Sequence, residues 1–415
     1  MIKRFIIIVA LLSTVFSAAQ EGTSSPYSYY GIGLTKFKGT VENQSMGGLQ
    51  LFSDSIHLNL RNPAAYGRLK LTTFAVGGSQ QRTTLKNDNL SENTNNTSLD
   101  YLAIGIPTGK LNFGLGLIPY SSVGYQIENR TDQTLSKLTG RGGLNKVFLT
   151  AGYAITNDLS IGVDANYNFG NFQNKTVIFQ EGIPLGSRII NRTDLSGFNF
   201  NFGVDYQRDL GNNLRLYSAA TYAPEMNITA NRMRNVSTIT FSTEGREQVI
   251  PPDVNVNFAD EDLTLPAQFT IGAGLGRPNK WFMGAEYTSL QASAFNFNSG
   301  TSSQNSQYQD ASQFKVGGYY IPVYNSLSGY FNRVVYRAGA RFEETGLYVN
   351  NEGIDEFGIS FGLGLPAGTN FSNVNLGLEY GQRGTTNSGL IKENFFKLSI
   401  SLSLNDKWFV QRRFD

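Results

Sequence analysis

Residues 395–404 read FFKLSISLSL. From Phe396 onward every second residue is large and apolar: Phe396, Leu398, Ile400, Leu402 and Leu404. Between them stand Lys397, Ser399, Ser401 and Ser403. Strict alternation marks a β-strand with two unlike faces, because successive side chains leave a strand on opposite sides. In a soluble sandwich the apolar face meets a core and the polar face meets water. In a membrane barrel the apolar face meets lipid and the polar face meets the lumen. The rest of the chain chooses between these two.

The same pattern recurs from about residue 71 onward. Leu265, Ala267, Phe269, Ile271, Ala273 and Leu275 alternate with Gln268, Thr270, Gly272, Gly274 and Gly276. Leu159, Ile161, Val163, Ala165, Tyr167 and Phe169 alternate with Ser160, Gly162, Asp164, Asn166, Asn168 and Gly170. Phe198, Phe200, Phe202, Val204 and Tyr206 face away from Asn199, Asn201, Gly203, Asp205 and Gln207. One face is too uniformly apolar for water, and the other too small and polar for a sandwich core. About fourteen such strands of roughly ten residues are expected, the length that crosses a bilayer at a tilt. The fold class is therefore all-β: a transmembrane antiparallel β-barrel, its apolar faces against outer-membrane lipid.

Connections alternate in length. PTGK, TND, DLGNN and RPNK are tight, whereas polar stretches near 83–96, 128–144, 171–196, 226–264 and 291–311 are long and read as outer loops. Short periplasmic turns and long outer loops are the barrel arrangement, and this parity puts both termini in the periplasm. The connection at 323–331 is longer than the other turns. Tyr120, Tyr153, Tyr222, Tyr287, Tyr320 and Tyr380 fit interfacial girdles.

Composition agrees. Charged residues are 16% of the 415-residue chain, against roughly 25% in soluble proteins, and aromatics are 13%. A net charge of +2 gives no electrostatic case for nucleic acid. The chain has no cysteine, which removes disulfides, thiolate chemistry and lipid anchoring through an N-terminal cysteine. Residues 1–20 have a basic start, a short apolar run and small residues at Ser17-Ala18-Ala19, the design of a cleaved secretory signal. Residues 21–69 follow as an irregular segment, 70–405 as the barrel, and 406–415 as a short periplasmic tail.

Four stretches resemble the FadL-type outer-membrane transporters of hydrophobic compounds. RNPAAYG carries Asn62-Pro63-Ala64 just before the first strand, and SMGGLQLFSDS precedes it at 45–55. LPAQFTIGAGL at 265–275 and VYRAGARFEETG at 335–346 are similar to two of the family's strand motifs. The resemblance implies a fourteen-stranded barrel closed by an N-terminal hatch over residues 21–69. It also implies sideways exit of the ligand through a kink in the third strand, LNFGLGLIPYSSVGYQIE, where Pro119 and Gly124 weaken pairing. The polar outer stretches and the ending NDKWFVQRRFD depart from the family pattern, and the composition and the cleavage region are Bacteroidetes-like.

Chemistry in the strands is confined to lumen-facing charges. Asp164, Asp205, Glu286, Lys315, Arg337, Arg341, Glu379 and Lys397 all fall on polar faces. They are expected to pair with one another and with the hatch, or to line a permeation path. Arg337 and Arg341, four apart on one face, are placed to meet an anionic head group. The lone histidine, His57, has Asp54 and Ser55 as neighbours, but three residues adjacent in sequence do not form a hydrolase triad. No metal-ligand cluster or phosphate-binding glycine motif stands out, so no enzyme activity, cofactor or metal is expected. The function read from the sequence is passive uptake of small hydrophobic, fatty-acid-like compounds through the hatch and a lateral opening. The alternative is a barrel of the same type that binds another outer-membrane protein as a subunit of an assembly or secretion complex.

Overall fold

The computed structural model describes residues 22–242, 246–295, 305–367 and 372–408. The expected signal segment, residues 1–20, and positions 409–415 of the expected tail lie outside the described residues.

Fourteen antiparallel strands follow one another around a closed barrel. They are β1 Thr72–Lys86, β2 Ser91–Pro107, β3 Leu111–Arg130, β4 Thr134–Ala154, β5 Leu159–Gln180 and β6 Gly186–Gly211. The seventh, β7, comprises Leu214–Ala223 and Met226–Phe241, and β8 comprises Glu247–Asn257, Glu261–Leu265 and Gln268–Arg277. Then come β9 Trp281–Leu290, β10 Ser306–Tyr308 with Ala311–Tyr320, β11 Val335–Val349, β12 Glu352–Ala367, β13 Ser372–Arg383 and β14 Lys392–Asp406. Pairing of β14 with β1, from Lys392↔Lys86 to Asp406↔Thr72, closes the sheet. Closure leaves no strand edge facing hydrocarbon, which an open sheet could not avoid.

The two faces separate as the alternation requires. On β14, Phe396, Leu398 and Ile400 are 49%, 46% and 56% exposed, while Ser399, Ser401 and Ser403 are at most 4% exposed. Phe198, Phe200 and Phe202 on β6, Phe269 and Ile271 on β8, and Phe357, Ile359 and Phe361 on β12 continue the exposed apolar ring. An apolar ring around a polar interior is a lipid-facing belt. At about 3.3 Å per residue and a tilt near 45°, the ten residues of β9 span roughly 23 Å, close to the height of such a belt.

Four of the polar stretches read as outer loops are largely strand. The stretches 83–96, 128–144 and 171–196 are hairpins that turn at 87–90, 131–133 and 181–185, and 226–264 continues β7 and β8. Strands reach 26 residues in β6 rather than about ten. Ladder hydrogen bonds need only backbone, so β4, β5 and β6 keep pairing past the belt where the side chains lose their alternation. Tyr120 is also corrected: it lies mid-strand on the inward face of β3 and packs against an interior cluster, because β3 runs on to Arg130. The other five girdle tyrosines are exposed.

Residues 22–71 enter the barrel. They form turns at Pro26–Tyr29 and Pro63–Arg68, a single α-helical turn Val41–Gln44 capped by Thr40, and a two-residue strand, Leu34–Thr35. Met46, Leu49 and Leu51 are buried against Tyr217 and Phe282 of the wall. Leu58, Leu60, Tyr66 and Leu69 are buried against Tyr101, Ile118 and Phe148.

Candidate functional site

The interior of the barrel is the candidate site, and its geometry follows from how the wall grips the N-terminal segment. Asn62 caps the Pro63–Arg68 turn: its side-chain oxygen accepts from Ala64 N at 3.0 Å, and proline suits the first position of the turn. Gly162 leaves the space, since a Cβ there would sit 2.3 Å from the Pro63 carbonyl carbon. Asn62, Pro63 and Ala64 thus sit against β5 and β6.

Inward-facing polar groups of the wall then take up the segment one after another. Gln44 donates to Glu379 at 2.6 Å, and the backbone N–H of Gln50 to Glu286 at 2.8 Å. Ser53 donates to Asp205 at 2.7 Å, and Arg68 pairs with the same carboxylate. Asn375 donates to Glu42 at 2.8 Å, and Ser25 binds Glu393.

The wall charges also pair with each other. Lys315 donates to Glu286 at 2.8 Å, and both are almost fully buried. Arg341 bonds Glu379 at 2.8 Å and Glu356, with Glu343 at 3.5 Å. Arg383 joins Glu356 to Glu393, the latter at 2.9 Å. Arg337 donates to Asn375 at 3.1 Å, and Lys397 lies 3.9 Å from Asp100. Arg341 is therefore committed to three carboxylates, which removes the sequence argument that it and Arg337 together await an anionic head group. Glu343, Glu356, Arg383 and Glu393 complete this network. The sequence reading did not single them out, although all four fall on the inward parity of β11–β14.

The third strand departs from its neighbour. Strands β2 and β3 pair only from Leu102↔Leu117 to Pro107↔Asn112, and β3 shifts register against β4 between Pro119 and Ser121. Beyond Leu117 the edge of β3 is taken by the N-terminal segment. Leu34 and Thr35 pair with Ser122 and Ser121, Lys36 N donates to Tyr120 O at 3.0 Å, and the Ser28 hydroxyl bonds both N and O of Gly124 at 3.1 Å. Ser24 reaches across to Asn96 of β2 at 2.9 Å.

Between the segment and the wall lies a cavity of about 360 Å³. Ile32, Tyr120, Leu265 and Phe295 give it apolar walls, and Lys36, Lys38, Arg61 and Lys146 also line it. Burial lowers the Lys36 ammonium to about 8, helped by repulsion from Lys397. Lys38, Arg61 and Lys146 escaped the sequence reading. The first two lie in a segment without periodicity, and the third stands at the edge of a stretch read as loop. Asp54 and His57, by contrast, form one ion pair, Oδ2 to Nδ1 at 2.7 Å.

A sequence model of the BamG family matches residues 1–415. The chain belongs to the BamG family. No curated protein matches it in sequence. Solved structures share the fold of this BamG-family barrel at low identity. A FadL homologue of Pseudomonas aeruginosa is 12% identical with a TM-score of 0.60, covering 90% of this chain and 99% of that one. The toluene transporter TbuX of Ralstonia pickettii is 16% identical with a TM-score of 0.59, covering 89% and 99%. The toluene transporter TodX of Pseudomonas putida is likewise 16% identical at 0.59, covering 90% and 99%. The chain is an outer-membrane β-barrel of FadL-like fold.

Proposed function

We propose that the chain serves as a protein-binding subunit of an outer-membrane assembly complex, as a closed barrel whose outer wall is the docking face. In this reading residues 22–71 are a seated hatch. The tight turns and both termini face the periplasm, and the tall hairpins of β3–β8 stand outside.

The outer part of β8 carries the reading. Among the described residues Glu247–Asn257 pairs with β7 along one edge and with no strand along the other. Val249, Ile250, Val254 and Val256 are 36–54% exposed on it. Beyond Pro251 and Pro252, which have no N–H to donate, the free edge at Val254–Asn257 with its β-branched side chains is a template for an added strand. Membership of the BamG family favours the same reading.

A second reading, passage of small hydrophobic, fatty-acid-like compounds, is supported by the apolar cavity wall and by the shared fold of the toluene transporters. It routes the ligand past the hatch to the break between β2 and β3 at Pro119 and Gly124.

One experiment separates them. A photo-crosslinking residue at position 254 is introduced, the cells are irradiated, and the protein is extracted in mild detergent for native mass spectrometry. A stoichiometric adduct with one other outer-membrane protein, absent when the crosslinker is at the lipid-facing position 400, is expected. A monomer that carries apolar small molecules and forms no adduct would overturn the proposal in favour of the channel.

A further inference from the structure

Lys38, Arg61 and Lys146 line the interior cavity, and none has an acidic partner within ion-pair distance among the described residues. The acids that also line it, Glu343, Glu356 and Glu379, pair with Arg341 and Arg383, and Glu343 acts on Lys38 and Arg61 only from beyond ion-pair distance. Lys38 has only the face of Tyr120, with Nζ 3.5 Å from the ring centre. Arg61 has only Phe37, at 5.9 Å. Lys146 is 8% exposed. Its nearest acid, Asp164, is held instead by Thr150 and by Asn201 at 3.1 Å. Lys38 lies in the repulsive field of both Lys146 and Arg61, and Lys146 in that of Arg61. Burial, reinforced by that repulsion, holds the Lys38 ammonium well below its ordinary value, and burial lowers the Arg61 guanidinium against the pull of Glu286 and Glu343.

Clustered like charges in a poorly solvated lumen are costly unless a counter-charge arrives. We propose that Lys38, Arg61 and Lys146 bind a doubly charged oxyanion of the phosphate class. Two ammonium groups and a planar guanidinium fork match several oxygens at once, and three positive charges exceed what one carboxylate balances. Asn166, Asn199 and Asn201 make the neighbouring wall polar, so the ligand group held there is hydrophilic. The oxyanion is either free phosphate or the phosphate of a lipid head group. The site lies inside the barrel and away from the β8 edge, so its failure would leave the docking proposal standing.

The test uses the full chain in non-ionic detergent and chloride buffer. Inorganic phosphate is titrated and followed by ³¹P NMR, phosphorus that co-purifies is quantified, and thermal midpoints are recorded for wild type, Lys146→Met and Arg61→Gln. Saturable phosphate binding that each variant weakens by about tenfold or more is expected. Phosphate raises the midpoint of the wild type alone, and Lys146→Met without phosphate is at least as stable as wild type, because the substitution removes an unbalanced charge. If inorganic phosphate fails but about one lipid phosphorus per chain co-purifies and is lost in the variants, the source is a lipid. Binding that is equal in wild type and variants marks an adventitious ion only and overturns the site. So do the absence of both phosphorus signals and a Lys146→Met protein that is less stable than wild type without phosphate.

Discussion

Replacing Gly339 by alanine tests whether residues 40–52 are seated on the wall as described. Gly339 lies on β11, opposite Gly317 of β10 and Ser360 of β12. A Cβ there would fall 2.2 Å from the Gly47 amide nitrogen and the same distance from the Met46 carbonyl carbon. Both are backbone atoms, so no side chain can swing aside. Ordinary contact begins at 3.4 Å, so the Met46–Gly47 turn must retreat by about 1.2 Å. That movement breaks the 2.9 Å bond from Gly47 N to the Ser360 hydroxyl. Overpacking of this kind costs about 1–3 kcal/mol and the lost bond about 1 kcal/mol. The penalty of about 2–4 kcal/mol falls on the segment, because alanine is tolerated in the strand ladder itself. Amide hydrogen exchange over residues 44–50 is expected to quicken by about 30- to 1,000-fold, while the barrel keeps its heat-resistant migration on gels. Gly353→Ala is the control, since its Cβ would meet nothing closer than 3.5 Å. Unchanged exchange over 44–50 in a folded Gly339→Ala protein would refute the seating.

Two further outcomes are expected. Ile400→Arg places a charge in the lipid belt and should cost about 2–4 kcal/mol in equilibrium folding into bilayers; wild-type folding would reverse the assignment of faces. His57 is the only histidine, so its imidazole gives a single resonance when the protein is purified without a histidine tag. Burial opposes its charge, but the Asp54 carboxylate outweighs burial and raises it above its ordinary 6.5. Burial likewise opposes the Asp54 charge, yet His57 and the hydrogen bonds from Ile56 and His57 lower it below 3.8. The contribution of His57 to anchoring is thus complete below pH 6.5 and is lost as pH rises through its raised value. That of Asp54 is present above pH 3.8 and is lost as pH falls through its lowered value. An NMR titration should place His57 above 6.5 in wild type and at or below 6.5 in Asp54→Asn; a wild-type value at or below 6.5 would count against the pair.

Much of the fold was written in side-chain parity. Ile400 and Ser401 report their faces by alternation alone, and Glu286, Lys315 and Glu379 could be placed inside the barrel from the same rule. What parity does not contain is stagger. Whether Arg341 meets Glu356 and Glu379 or stays free for a ligand depends on how β11, β12 and β13 slide past one another, and no single strand encodes that offset. The outer hairpins were missed for a related reason. Past the belt both faces meet water, so Asn, Thr and Ser carry no period while the backbone ladder of β4–β6 continues. Lys38 and Arg61 sit where the chain follows neither period, and only the folded segment brings them to Lys146.

The N-terminal segment is as much wall as plug. Residues 34–35 supply the pairing that β2 withholds from β3, and Ser28 bonds Gly124 from 96 positions away in sequence. The same segment satisfies Glu379 through Gln44, Glu286 through Gln50 and Asp205 through Ser53 and Arg68. Hydrogen bonds to charged groups are worth about 1.5–3 kcal/mol each and leave costly buried charges when broken. Withdrawal of the segment as one body would uncover three carboxylates and a strand edge together, a cost of several kcal/mol that thermal motion meets rarely. An opening between β2 and β3 therefore needs a ligand or a partner protein that replaces those bonds as they break.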